Sequence, residues 1–136
     1  RSTRVFEKVN DRWEVIVAVN PFQQYEQVSF VNGIFTNKGG KHVDYITNQI
    51  TKKLSEFILK KKKVNVKTNY IKENIIVFVK CLIDNPSFNS QTKEFMTTNK
   101  DKFGSKCTIS DNVMMHHGHQ IHVHHVSLAL NKPVSI

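Results

Sequence analysis

The chain reads as an α+β domain, with strands and a helix arranged around one mixed β-sheet. Three features carry that reading. Two stretches alternate in side-chain character with a period of two, one stretch places apolar residues three and four apart, and one short run is largely apolar. With 136 residues there is room for one domain with a real core, and not for two.

The first alternating stretch is RWEVIVAVN, in which Trp13, Val15, Val17 and Val19 interleave with Glu14, Ile16 and Ala18. It predicts a strand over Arg12–Val19, buried fully on one face and partly on the other. Asn20-Pro21 ends it, because proline has no donor for the ladder. QVSFVNGIFT alternates again and predicts a second strand, antiparallel to the first, with PFQQYEQ as the connection. Gly39-Gly40 breaks this pattern, and Val43, Ile46, Ile50, Leu54 and Phe57 then form one stripe of a helix over about His42–Leu59. That helix finishes in Lys60-Lys61-Lys62-Lys63, where cations meet the negative end of its dipole. VNVKTNY is a polar connection to IIVFVKCLI, whose length and composition favour a buried strand. PSFNSQTKEFMTTNKDKFGSK follows as a long, turn-rich loop of the kind that is functional or disordered. From Val113 onward six of the seven histidines cluster, and residues 112–136 are expected to be a poorly ordered tail.

Twenty Lys and Arg against eleven Asp and Glu leave a net charge of +9, which points to polyanionic partners such as nucleic acid, nucleotide phosphates or acidic lipid, or else to a basic surface kept for solubility. No apolar run approaches the roughly 20 residues that span a bilayer, which excludes an integral membrane protein, and no membrane is expected among the partners. The chain opens on Arg1 without a secretory segment and is expected to be an internal piece of something longer. Cys81 and Cys107 form no CxxC pair, which suits a reducing compartment.

Gly40-Lys41-His42 has the Gly-Lys step of a phosphate-binding loop, yet Phe35 stands where the first glycine belongs and His42 where Ser or Thr would hold magnesium. His42 and Asp44 point to different faces of the helix and no GxSxG elbow exists, so an independent hydrolase is not expected. The blocks His116-His117-Gly118-His119 and His122-Val123-His124-His125 lack the spacing of a known structural zinc site, and no metal site is assigned. The lysine run fits two readings equally: a solvated helix end, or point charges against a DNA backbone.

SFVNGIFTNKGGKHVDY and IDNPSFNSQTKEFMTTNKDKFGSKC, together with NDRWEV and the lysine run, resemble the transducer domain of eukaryotic type II DNA topoisomerases. That domain is the second half of their N-terminal ATPase region, and the likeness runs in order from about Asn10 through Asp111. It implies a mixed β-sheet backed by helices on one face, with residues 1–111 as the transducer domain. It also implies that Gln91, Thr92 and Lys93 reach a neighbouring ATP site, with Lys93 as the catalytic contact to the terminal phosphate and Gln91 assisting. Lys60, Lys61, Lys62 and Lys63 correspond, by the same resemblance, to a basic loop that contacts double-stranded DNA. The implied parent is a nuclear, homodimeric, ATP- and Mg²⁺-dependent enzyme that couples ATP binding and hydrolysis to DNA strand passage. Most ATP and Mg²⁺ ligands and the DNA-cleaving groups belong to its other domains, so the fragment alone is expected to be inactive. The alternative is a stand-alone basic nucleic-acid-binding module without nucleotide linkage.

Overall fold

The computed structural model describes residues 4–20, 22 and 24–109. The histidine-rich stretch and its expected disorder lie outside these residues, as does Pro21. Strands β1 (Arg4–Asn10), β2 (Trp13–Val19), β3 (Glu26–Val31) and β4 (Ile34–Phe35) precede helices α1 (Lys41–Lys62) and α2 (Thr68–Lys72), and β5 (Ile75–Cys81) follows. They form one five-stranded mixed sheet in the order β1-β2-β5-β3-β4. The α+β fold with a mixed sheet and helices is therefore the observed one.

Its topology corrects one expectation. β2 and β3 do run in opposite directions, but they are not paired, because β5 lies between them. β5 pairs antiparallel with β2, from Trp13↔Cys81 to Val19↔Ile75, and parallel with β3, from Glu26↔Ile76 to Val31↔Cys81. The largely apolar run takes the central place, where a strand bonded on both edges leaves no backbone group needing water. Only its Ile75, Val77, Val79 and Cys81 face is buried, and Phe78 and Lys80 on the other face are exposed. The connection between β2 and β3 is closed by Asn20 instead, whose backbone N–H donates to Asn74 and whose side-chain amide donates to the Gln24 carbonyl and the Glu26 carboxylate.

The second alternating run is a hairpin rather than one strand. Asn32 and Gly33 both have positive φ, 51° and 82°, the requirement of a tight two-residue turn between β3 and β4. Asn32 then ties that turn to the end of β5: its carboxamide accepts from Ile83 N–H at 2.8 Å and donates to the Ile83 carbonyl at 3.0 Å. Two further elements were not expected. β1 pairs with β2 along the sheet edge, and α2 interrupts the polar connection with a short turn that buries Ile71.

Helix α1 begins one residue before the expected start and ends three later. His42, Val43, Ile46, Ile50, Leu54 and Ile58 are its buried stripe, while Phe57 is only half-buried. This stripe shares the core with Trp13, Val15 and Val17 of β2 and Val77 and Val79 of β5. Side chains on the opposite sheet face, Ile16, Val28, Phe30 and Phe78, stay partly in solvent. Lys60, Lys61 and Lys62 form the last helical turn, and Lys63 closes it in the left-handed conformation, its N–H reaching the Leu59 carbonyl at 3.1 Å. The basic run is thus a helix end rather than a loop. No helix among the described residues is long and apolar enough to cross a membrane.

Trp13 joins the layers. It is fully buried, packs its ring 5.6 Å from Tyr45 of α1 and 5.7 Å from Phe103, and donates its indole N–H to Ser105 Oγ at 2.8 Å. The segment that follows runs along α1, where Tyr45 Oη accepts from Cys107 N–H and Gln49 exchanges hydrogen bonds with Cys107 and Ile109. Trp13→Ala is expected to cost about 3–5 kcal/mol of stability, by loss of buried area and an unfilled cavity. Ser105→Ala should cost about 1 kcal/mol, since it removes one neutral hydrogen bond. Urea unfolding followed by far-UV circular dichroism measures both, and equal effects would contradict Trp13's place as the core anchor.

Candidate functional site

The long loop after β5 is tied down at its base. Its two arms pair where Phe88 bridges Met96, with Asn89 N–H donating to Phe95 O at 3.1 Å and Thr97 N–H to Ser87 O at 2.8 Å. Ser87 N–H adds a bond to Thr98 Oγ1 at 2.7 Å. Gln91, Thr92 and Lys93 sit at the tip, all three exposed. The tip turns sharply because Lys93 adopts a left-handed φ of 57°, with its N–H on the Ser90 carbonyl at 3.2 Å and Ser90 Oγ 2.7 Å from Thr92 Oγ1. The Lys93 ammonium lies 5.9 Å from the Phe88 ring centroid and takes part in no ion pair among the described residues. A cation on a pinned loop, facing solvent with no carboxylate partner among the described residues, suits an anionic ligand brought from outside.

A second set of contacts joins this loop to the segment between β4 and α1. Lys38 N–H donates to Glu94 O at 3.0 Å, and Lys38 Nζ lies 3.2 Å from Glu94 Oε1. Two residues on, Met96 N–H donates to Gly39 O at 3.2 Å and Met96 O accepts from Lys41 N–H at 2.9 Å. Sequence reasoning read Gly39-Gly40 as the break before the helix and excluded a phosphate loop at Gly40-Lys41, but did not connect the glycines with residues fifty positions away.

Beneath that segment lies a buried polar chain. Thr36 Oγ1 donates to Ser29 O at 3.0 Å, and Ser29 Oγ lies 2.6 Å from Thr36 Oγ1. His42 Nε2 lies 3.1 Å from the same Thr36 oxygen. With the threonine hydrogen directed to Ser29, the pattern assigns Nε2–H of His42 as donor, and Nδ1 is left buried without a partner among the described residues. Burial therefore pushes the His42 pKa down to about 4.

Lys60, Lys61, Lys62 and Lys63 are all exposed, and none forms an ion pair among the described residues. They do not meet the Gln91–Lys93 tip. The loop is pinned beside the first residues of α1, the lysines occupy its last turn, and a helix of 22 residues is about 33 Å long.

Residues 2–118 match the family model described as DNA gyrase B. The chain is 53% identical over 107 residues to DNA topoisomerase 2 of Saccharomyces cerevisiae, covering 79% of this chain and 7% of that protein. Against DNA topoisomerase 2 of Pisum sativum it is 52% identical over 112 residues, covering 82% and 8%. The chain thus spans less than a tenth of the length of these relatives. The solved ATPase region of Saccharomyces cerevisiae topoisomerase II superposes with a TM-score of 0.83 at 45% identity, covering 93% of this chain and 32% of that one. The ATPase and transducer domains of DNA topoisomerase II from Balamuthia mandrillaris superpose with a TM-score of 0.77 at 42% identity, covering 82% and 29%.

The buried histidine sets a pH dependence. An unfolded histidine takes its proton near pH 6.5, whereas folded His42 resists protonation until about pH 4. Between those values the unfolded chain binds the extra proton, so this contribution to stability is full above pH 6.5 and is lost as pH falls towards 4, by about 3 kcal/mol. Urea unfolding across that range should show a shallower pH slope in His42→Gln than in the unaltered chain. Parallel slopes would contradict the buried, neutral state of His42.

Proposed function

This chain belongs to the DNA gyrase B family and corresponds to part of the ATPase region of type II topoisomerases; from that premise we propose that residues 1–111 are its transducer, the unit that reports nucleotide state to the rest of the enzyme. The observation that carries the reading is the Gln91-Thr92-Lys93 tip: exposed, pinned at its base, and ending in a cation without a carboxylate partner among the described residues. That donor set fits the terminal phosphate of ATP. Lys93 offers a compact charge, and Gln91 a neutral amide beside it. When bound, ATP with Mg²⁺ supplies the phosphoryl group, and its remaining ligands come from outside this chain. Lys93 stabilises charge that develops on the phosphate oxygens, and loss of that phosphate leaves the ammonium without its partner. The isolated chain is expected to hydrolyse no ATP, since one phosphate contact gives little affinity.

Lys60, Lys61, Lys62 and Lys63 are proposed to contact double-stranded DNA. Four exposed cations in sequence, without ion pairs among the described residues, support it, as does the net charge of +9. The parent enzyme in this reading is a nuclear homodimer that couples ATP binding and hydrolysis to strand passage. The alternative, a basic module binding nucleic acid without nucleotide linkage, rests on the same charge but gives the Gln91–Lys93 tip no role.

In the full-length parent, Lys93→Ala should lower DNA-stimulated ATP hydrolysis by roughly 10²-fold or more while thermal unfolding stays unchanged. Lys93→Arg should rescue poorly, because a planar fork does not replace a point charge. Normal turnover by folded Lys93→Ala enzyme would refute the role given to the loop.

Replacing Lys60, Lys61, Lys62 and Lys63 by Ala should weaken binding to every duplex about equally. It should also remove up to about 3.6 from the slope of log affinity against log salt, the value for four neutralised phosphates. An unchanged slope would return the run to a solvated helix end.

A further inference from the structure

We infer that Gly40 is a positioning residue for the Gln91-Thr92-Lys93 loop: its missing side chain lets the backbone ahead of α1 seat directly against Met96, and that contact sets where Lys93 reaches. The inference rests on the nucleotide-sensing reading of the loop. The Gly-Lys step here lacks the pattern of a phosphate loop. It meets another stretch of backbone.

The fit is tight. A Cβ at Gly40 would lie 2.6 Å from both N and O of Met96 and 2.9 Å from its Cβ. Backbone atoms cannot swing aside as a flexible side chain can, so any side chain at position 40 displaces Met96. Gly40 also has a φ of 150°, within the range that favours glycine. Met96 itself is fully buried, bridged to Gly40 on one side and to Phe88 on the other. It is thus the strand of backbone through which the loop is held.

The distance from this seat to the tip is short. Met96 stands three residues after Lys93, a reach of at most about 10 Å. Between them Glu94 carries the second tether, its carbonyl on Lys38 N–H and its carboxylate on Lys38 Nζ. A displacement at Met96 is therefore passed on to Lys93 with little slack. Misplacing a group that acts on a transition state by about 1 Å can cost 10²-fold in rate. Gly40 is also the residue whose carbonyl accepts the first turn of α1, from Val43 and Asp44 N–H. One residue thereby fixes the loop and the helix start together.

Two measurements test this. In this chain, hydrogen exchange should show amides of residues 88–96 exchanging about tenfold or more faster in Gly40→Ala, with β2 and β5 protected as before. If Gly40→Ala loses protection throughout, Lys38→Ala is read instead, because that side chain is exposed. Its loop amides should exchange about two- to fivefold faster, and Lys38→Glu combined with Glu94→Lys should restore them. In the full-length parent, the same loosening variants should lower kcat for ATP while KM stays within about twofold, and the charge exchange should recover kcat. Loop exchange that is unchanged in folded Gly40→Ala and in Lys38→Ala would overturn the inference. So would a loosened loop with normal kcat in an enzyme that Lys93→Ala inactivates. If Lys93→Ala is itself fully active, the phosphate reading fails, and loop exchange alone decides whether Gly40 holds the loop.

Discussion

A strand bonded along both edges cannot be moved without stripping two rows of donors and acceptors of their partners. In this domain β5 is such a strand at the centre of the sheet, antiparallel to β2 on one side and parallel to β3 on the other, while β2 is bonded likewise between β1 and β5. The buried β5 residues Ile75, Val77, Val79 and Cys81 line the face on which α1 lies. Because β5 is central, the hairpin at Asn32-Gly33 must end beside Ile83, and the chain leaving β5 must start its long loop there. The loop's position against Gly40 follows from this, since β4 and α1 are joined across the same end of the sheet. The candidate phosphate contact is thus placed by a strand that carries none of its chemistry.

Local patterns were legible where one element sufficed to produce them. The period of two in RWEVIVAVN gave β2, and the three-and-four spacing from Val43 gave α1, because each reflects burial of one face. Pairing was not legible. Whether β2 meets β3 or β5 depends on contacts across more than fifty residues, and alternation describes a face without naming a neighbour. β1 escaped notice because RVFEKVN mixes charge into its alternation, a composition that suits an edge. The turn at Asn32-Gly33 carried a strong local signal that continued alternation concealed.

The candidate site divides in the same way. Gln91, Thr92 and Lys93 stood out only through resemblance to a family, as three exposed polar residues in a polar loop have no distinctive pattern of their own. The lysine run stood out by composition, yet its conformation depended on α1 continuing through Lys62. Gly39-Gly40 and His42 were visible, and their spacing excluded a phosphate loop without saying what they do instead: the glycines meet Met96 and the histidine closes a buried hydroxyl chain with Thr36 and Ser29. What a glycine makes room for is a property of its neighbour, and the neighbour is far away in sequence.

The outer edge of the sheet beside β3 is closed in an economical way. β4 is only two residues long and covers Phe30 and Val31. Beyond it, Ser29 O takes the Thr36 N–H and the Gln27 amide donates to the Asn37 carbonyl. These bonds use up polar groups that a longer, regular strand would present in a row. Strand addition by a second chain needs such a row as its template. The β4 side of this sheet is therefore a poor seed for aggregation, even though Phe30 and Phe35 expose apolar surface beside it.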